Sequence, residues 1–261
     1  MEFRILGPVE VWGSDGEIPL DGSKQRTVLA TLLLARGRMV SDSHLCRLLW
    51  HEDPPATFNA QIYTYVSRLR KYLGDAVTIS RQRPGYQLHV DPAQVDSENF
   101  ARLARMGTDA LRDGDFLAAS RLLTQALSLW RGPALTNVTQ ELADEEAHRL
   151  DEARLVTLEA RVEADLALGR HVDLLPELTG LVAKHPMHER FRSLLMDTLW
   201  RCDRRADALA VFHDGRRVLA EELGVSPGRM MTETYRAILV ADGENQQVER
   251  ASRSSRQAAG V

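Results

Sequence analysis

The chain has 261 residues, of which 44% are apolar and 27% charged, with a net charge of −4. That length suits two domains and that composition a sizeable packed core, while the acidic balance excludes a protein that coats nucleic acid indiscriminately. No apolar run approaches the roughly 18 residues of a membrane span. Glu2 stands where a secretory signal carries positive charge, and two cysteines far apart, Cys46 and Cys202, form no disulfide framework. A cytoplasmic protein with inert thiols is expected.

Residues 2–11 (EFRILGPVEV) are apolar and partly alternating, which predicts one strand. Ser14-Asp15-Gly16 is a turn signal, and a second short strand is expected through Ile18 and Leu20. Val28, Leu29, Leu32, Leu33 and Ala35 form a helical stripe that Gly37 stops. Ser41 is placed to cap a short helix, with Asp42 favourable at its positive end. Pro54-Pro55 breaks the chain before a longer helix from about Ala56 to Leu73, which Gly74 ends. Two strands follow around a tight turn with Pro84 and Gly85 at its centre. The order strand, strand, three helices, hairpin is that of a winged helix-turn-helix, expected over residues 1–96.

From Ser97 strand signals vanish. Helices are predicted near 97–112, 115–130, 141–168, 171–184, 188–202, 204–222 and 228–240, punctuated by Asp113-Gly114, Gly169 and Pro186. Paired helices with an Ala-rich seam, as in ADALAVFHDGRRVLAEELG, resemble tetratricopeptide hairpins without a strict repeat. The expected fold is mainly α: a winged helix (α+β) followed by an all-α tetratricopeptide-like domain over 97–242. The polar, unpatterned residues 243–261 are expected to be a disordered tail.

The helix at 56–73 carries the strongest functional signal. At 100° per residue Phe58, Ile62, Val66, Leu69 and Leu73 share one face, suited to packing on the preceding helices. The opposite face presents Ala60, Thr64, Ser67 and Lys71, with Arg68 beside them and Arg70 on a flank. Small residues permit close approach to a groove floor, hydroxyls bond phosphates or base edges, and Arg pairs bidentately with guanine. Arg81 and Arg83 bracket the hairpin turn, where Arg can reach a minor groove or its phosphates. Residues 60–86 hold five cations against Asp75 alone, a local charge of +4 on an acidic chain. Thr64, Ser67, Arg68 and Lys71 are therefore assigned to the major groove, and Arg70, Arg81 and Arg83 to backbone or minor-groove contacts. Tyr63, Tyr65 and Tyr72 fit packing or phosphate contact better than base stacking.

Other clusters carry less. In His185-Pro186-Met187-His188 the proline breaks the helical register and no Cys or carboxylate set completes a metal site, so an interhelical turn is expected. Asp144-Glu145-Glu146 suits a solvated helix face. No phosphate-binding loop and no nucleophile elbow is present in the sequence. Neither an enzyme nor a cofactor or metal is expected. The rivals are a repressor with the same DNA contacts and, because of the net negative charge, a helical-repeat scaffold that has lost DNA binding.

Ser67-Arg68-Leu69-Arg70-Lys71-Tyr72-Leu73-Gly74 followed by Arg83-Pro84-Gly85-Tyr86 resembles the OmpR/PhoB-type winged helix. The opening FRILGPVEV, Lys24-Gln25-Arg26 and Leu49-Trp50 narrow the resemblance to the Streptomyces antibiotic regulatory protein (SARP) family. LWRGPAL (129–135), residues 185–212 and LAEELGVSPG (219–228) resemble that family's bacterial transcriptional activation domain. The resemblance implies a pathway-specific activator of a secondary-metabolite gene cluster. Its partners would be double-stranded promoter DNA with direct repeats, RNA polymerase holoenzyme and a second copy on DNA, and its place the cytoplasm, at the nucleoid. Larger relatives continue into a nucleotide-binding module before which this chain stops, so ATP-dependent control of that kind is not expected.

Overall fold

The structure is a computed structural model that describes residues 1–240; the tail expected at 243–261 lies outside the described residues. The chain divides into two compact units, Met1–Leu158 and the chain from Glu159 onward.

The first unit opens with a three-stranded antiparallel sheet, β1 (Glu2–Arg4), β2 (Glu10–Gly13) and β3 (Gly16–Glu17), in that order. The single strand expected over residues 2–11 is thus two strands. Ile5 and Leu6 turn their backbone groups away from the sheet: Arg131 N donates to Leu6 O at 2.9 Å and Leu135 N to Ile5 O at 3.3 Å. The strand expected through Ile18 and Leu20 ends earlier, because Pro19 has no N–H to offer a ladder.

Three helices follow: α1 (Gly22–Leu34), α2 (Asp42–Trp50) and α3 (Phe58–Leu73). Ser41 caps α2 by accepting the His44 N–H at 3.1 Å. Ile62, Val66, Leu69 and Leu73 are buried on one side of α3, against α1 and α2. The predicted stripe is therefore the packing face, with Phe58 partly buried at its start.

The hairpin β5 (Thr78–Gln82) and β6 (Gly85–His89) forms a second sheet with the two-residue strand β4 (Val40–Ser41), in the order β4-β6-β5. Gln82 pairs with Gly85, so Arg83 and Pro84 are the central turn residues, joined by a cis peptide bond. The expected placing of Pro84 and Gly85 at the turn centre is corrected accordingly. Gly85 opens β6, where its antiparallel partner β4 lies too close for a side chain: a Cβ there would stand 1.8 Å from the Val40 carbonyl oxygen.

Beyond the hairpin, α4 (Asp96–Arg112) and α5 (Phe116–Leu127) pack as an antiparallel pair, close at Gly107, where a Cβ would meet Leu123 at 2.6 Å. Trp130, Ala134, Leu135, Leu142 and Leu150 share one core with Phe3, Ile5, Val28 and Leu48. Trp130 meets Phe100 edge-on at 5.5 Å, with the Arg154 guanidinium 4.8 Å from its ring. Polar clasps reinforce this seam. Thr139 N donates to Thr27 Oγ1 at 2.9 Å, Thr139 Oγ1 to Leu48 O at 2.7 Å, and Val9 N to Asn137 Oδ1 at 2.7 Å.

The boundary between the units falls within the long helix α6 (Gln140–Ala167). In the second unit, α7 (His171–Lys184) packs on α8 (Glu189–Arg201) and α8 on α9 (Arg205–Leu223), and a further helix spans 229–240. Gly215 permits the closest approach: a Cβ would lie 2.6 Å from Met231 Cε and 2.7 Å from Arg192 Cδ. Phe212 stacks on Tyr235 at 4.0 Å. Arg192 is buried and donates to Pro186 O at 2.8 Å and to Asp214 at 3.0 Å. These successive hairpins form the tetratricopeptide-like part of the fold. Among the described residues no helix is long and apolar enough to cross a membrane.

Candidate nucleic-acid interface

With its apolar stripe buried, α3 turns Ala60, Tyr63, Thr64, Ser67, Arg68 and Lys71 to solvent. The Thr64 hydroxyl donates to the Ala60 carbonyl of its own helix at 2.8 Å, which fixes its rotamer and leaves its lone pairs facing outward. Ser67 and Lys71 lie one and two turns further along the same exposed row. The predicted major-groove residues Thr64, Ser67, Arg68 and Lys71 thus come together on one surface.

The remaining cations divide by environment. Arg70 donates from Nε and Nη2 to the Ile79 carbonyl at 2.9 and 2.6 Å, so it ties α3 to the hairpin. Arg81 forms a fork with the Asp42 carboxylate, both contacts 2.6 Å, and lies 4.5 Å from the Tyr86 ring centroid. The bond to Asp42 raises the Arg81 pKa and keeps the guanidinium charged. Arg83 stands exposed at the turn. Among the described residues neither Arg83 nor Lys71 has an ion-pair partner. Of the three residues assigned to the backbone or minor groove, Arg83 is presented freely, while Arg70 and Arg81 are engaged within the fold.

An open groove of about 570 Å³ separates the exposed face of α3 from the hairpin, lined by Asp42, Asn59, Ala60, Tyr63, Arg70, Arg81 and Tyr86. Tyr63 is 61% exposed at its edge, whereas Tyr65 packs on the core. Tyr72 donates its hydroxyl to Asp21 at 2.9 Å, and that bond pushes the phenol's pKa upward. Arg68 Nη1 lies 3.8 Å from the same Asp21 oxygen. Sequence reasoning did not single out Asp21 or weigh Asp42 beyond its helix end. Both read as ordinary residues at helix N-termini, and no local signal reveals partners 51 and 39 positions away.

Among the described residues no group of three or more His, Cys, Asp or Glu is placed to hold a metal ion. His188 stacks on Phe191 at 4.3 Å, with its Nε2 3.3 Å from Glu159. The His185–His188 segment is the turn between α7 and α8.

Comparison with known proteins extends this picture. Residues 16–88 match the family described as transcriptional regulatory protein, C terminal. Residues 95–239, more than half the chain, match the bacterial transcriptional activator domain. Regulatory protein DnrI of Streptomyces peucetius is 38% identical over 253 residues, spanning 93% of this chain and 93% of DnrI. Regulatory protein AfsR of Streptomyces coelicolor is 43% identical over 244 residues, 93% of this chain but 24% of AfsR, so the chain spans about a quarter of that relative. The solved structure of Mycobacterium tuberculosis EmbR in complex with a low affinity phosphopeptide superposes with a TM-score of 0.88 at 33% identity, covering 92% of this chain and 65% of EmbR. With an OmpR/PhoB-type reading domain ahead of a bacterial transcriptional activator domain, the chain belongs to the Streptomyces antibiotic regulatory protein family of transcriptional regulators.

Proposed function

We propose that this protein is a sequence-specific transcriptional activator, dedicated to a secondary-metabolite gene cluster, that binds direct repeats and recruits RNA polymerase holoenzyme. The observation that carries the reading is a single surface: the exposed row Thr64, Ser67, Arg68 and Lys71 on α3, flanked by the free cation of Arg83. A helix lying in the major groove meets base edges with such a row, and a cation on an adjacent hairpin meets phosphate or the minor groove. Residues 1–96 supply reading, and the helical part, 97–242, supplies contacts to polymerase and to a second copy. Its working place is the cytoplasm, at the nucleoid.

The direct-repeat geometry follows from the absence of a heptad seam in the sequence, which removes the usual source of a two-fold zipper and its palindrome. Two copies then face the same way along the duplex, their sites about one helical turn (10–10.5 bp) or a multiple apart. Footprinting and reporter transcription on spacing variants test this. Insertion of about half a turn between repeats places one site on the far side of the duplex and abolishes cooperative binding and activation, while a full turn is tolerated better. Protection of an inverted repeat defeats the head-to-tail arrangement, and DNA binding without activation defeats the activator reading.

A further inference from the structure

We propose that Asp21 is a specificity-determining residue: an internal counter-ion that holds Arg68 away from phosphates, so that DNA lacking the right bases is bound weakly. The inference rests on the DNA-reading surface proposed above.

Asp21 occupies the N-cap position of α1, where an aspartate ordinarily accepts a backbone N–H of the first turn. Here its side chain makes no capping hydrogen bond. It turns instead to α3, where one carboxylate oxygen accepts the Tyr72 hydroxyl at 2.9 Å and faces Arg68 Nη1 at 3.8 Å. A residue that forgoes the local bond its position favours, and engages two side chains of the reading helix, is placed for those side chains. Burial is not the reason, since the Asp21 side chain is 58% exposed and that of Arg68 52%.

The geometry separates two kinds of DNA contact. A guanidinium carries five donors in a planar fork. Asp21 faces one nitrogen of Arg68, so the others remain able to pair with a guanine edge while the ion pair persists. Binding a phosphate is different. It requires a net cation, and Asp21 both neutralises Arg68 and repels the phosphate directly. The acid therefore costs affinity on every sequence through the phosphate contact, and a correct base restores the interaction through Arg68.

The test compares the full chain with Asp21→Asn, which keeps the shape and the acceptor for Tyr72 but removes the charge. Two duplexes serve as probes: one selected from a random pool by the wild-type protein, and the same duplex with its bases scrambled. Removal of the charge is expected to raise affinity for the scrambled duplex about two- to fivefold, the fold-change an exposed ion pair is worth. The selected duplex gains less, so the ratio between the two falls. The log–log salt dependence on the scrambled duplex steepens by up to about one unit. With Arg68→Ala as background, Asp21→Asn has no further effect on the ratio. An equal change on both duplexes, which leaves the ratio unchanged, or a change in the ratio that survives Arg68→Ala overturns the proposal. Wild-type protein that enriches no duplex from the pool overturns the reading of the surface itself, and the proposal with it.

Discussion

Asp96, the first residue of α4, accepts the backbone N–H of Ile5 with both carboxylate oxygens at 2.9 Å, across 91 positions of sequence. Leu6 N donates to the same carboxylate at 3.0 Å, and Arg131 Nη2 stands 3.6 Å away. The side chain is 3% exposed, so these donors have no water to turn to. Asp96→Ala is expected to destabilise the first unit by about 1–3 kcal/mol for each buried donor left unpaired. Chemical denaturation of residues 1–158 measures it. A loss within error of zero removes Asp96 as the link between β1 and α4.

The same seam makes a prediction about fragments. A piece ending at residue 96 retains α3 and the hairpin but loses Trp130, Ala134, Leu135, Leu142 and Leu150 from the shared core. Residues 1–158 are expected to unfold cooperatively and bind DNA, and residues 1–96 to melt broadly and bind dye that reports exposed apolar surface. Circular dichroism melts of both decide it. A sharp transition for 1–96 at the temperature of 1–158 contradicts the shared core.

Gly85→Ala is expected to be among the most damaging single changes near the hairpin. Its methyl would meet the Val40 carbonyl, which belongs to backbone and cannot rotate aside. Overpacking costs about 1–3 kcal/mol in cores, and a backbone obstacle places this substitution at the upper end. Exchange of the Tyr86 amide should accelerate as β6 parts from β4. Unaltered protection would show that the strands separate without cost.

The cations of the surface should fall into three groups when each is replaced by alanine. Lys71→Ala and Arg83→Ala weaken binding to all duplexes alike, each flattening the salt slope by about one unit, and leave the melting temperature unchanged. Arg68→Ala loses about 1–3 kcal/mol on the selected site alone. Arg70→Ala and Arg81→Ala lower the melting temperature as well, because they release the Ile79 carbonyl and the Asp42 carboxylate. If all five behave alike, the division between structural and DNA-facing cations is wrong.

Acid should weaken the second unit through Asp214. Its bond to Arg217, then that to the buried Arg192, holds its pKa below the ordinary 3.8. A folded-state pKa below the unfolded one means stability that is present above about pH 3.8 and lost as pH falls through the folded value. Half the side chain is in solvent, which limits the effect to about 1 kcal/mol. Unfolding free energies between pH 2 and 6 for wild type and Asp214→Asn check the sign: the variant starts lower near pH 6 and has a flatter acid limb. A steeper limb in the variant reverses the assignment.

What the sequence determined by itself is periodicity. The stripe Ile62, Val66, Leu69 and Leu73 specifies a helix and its buried side, and leaves Thr64, Ser67 and Lys71 outward whatever the neighbours are. Ser41 marks a helix start and Gly74 a helix end by local hydrogen bonding and backbone freedom, and the switch from alternation to helical period places the helical half from about residue 97. All these signals act within one or two helical turns, so they survive without knowledge of the fold. Only tertiary structure decided which cations are free. Arg70 and Arg81 look like Arg83 in sequence, yet a carbonyl of β5 and a carboxylate of α2 claim them. It also decided that Gly85 accommodates the close neighbour strand β4 instead of a turn centre, that LWRGPAL is the seam of a shared core, and that Asp21 faces α3. Each depends on groups brought together from 9 to 130 positions apart, where hydrogen bonds and packing act through space and leave no periodic trace along the chain.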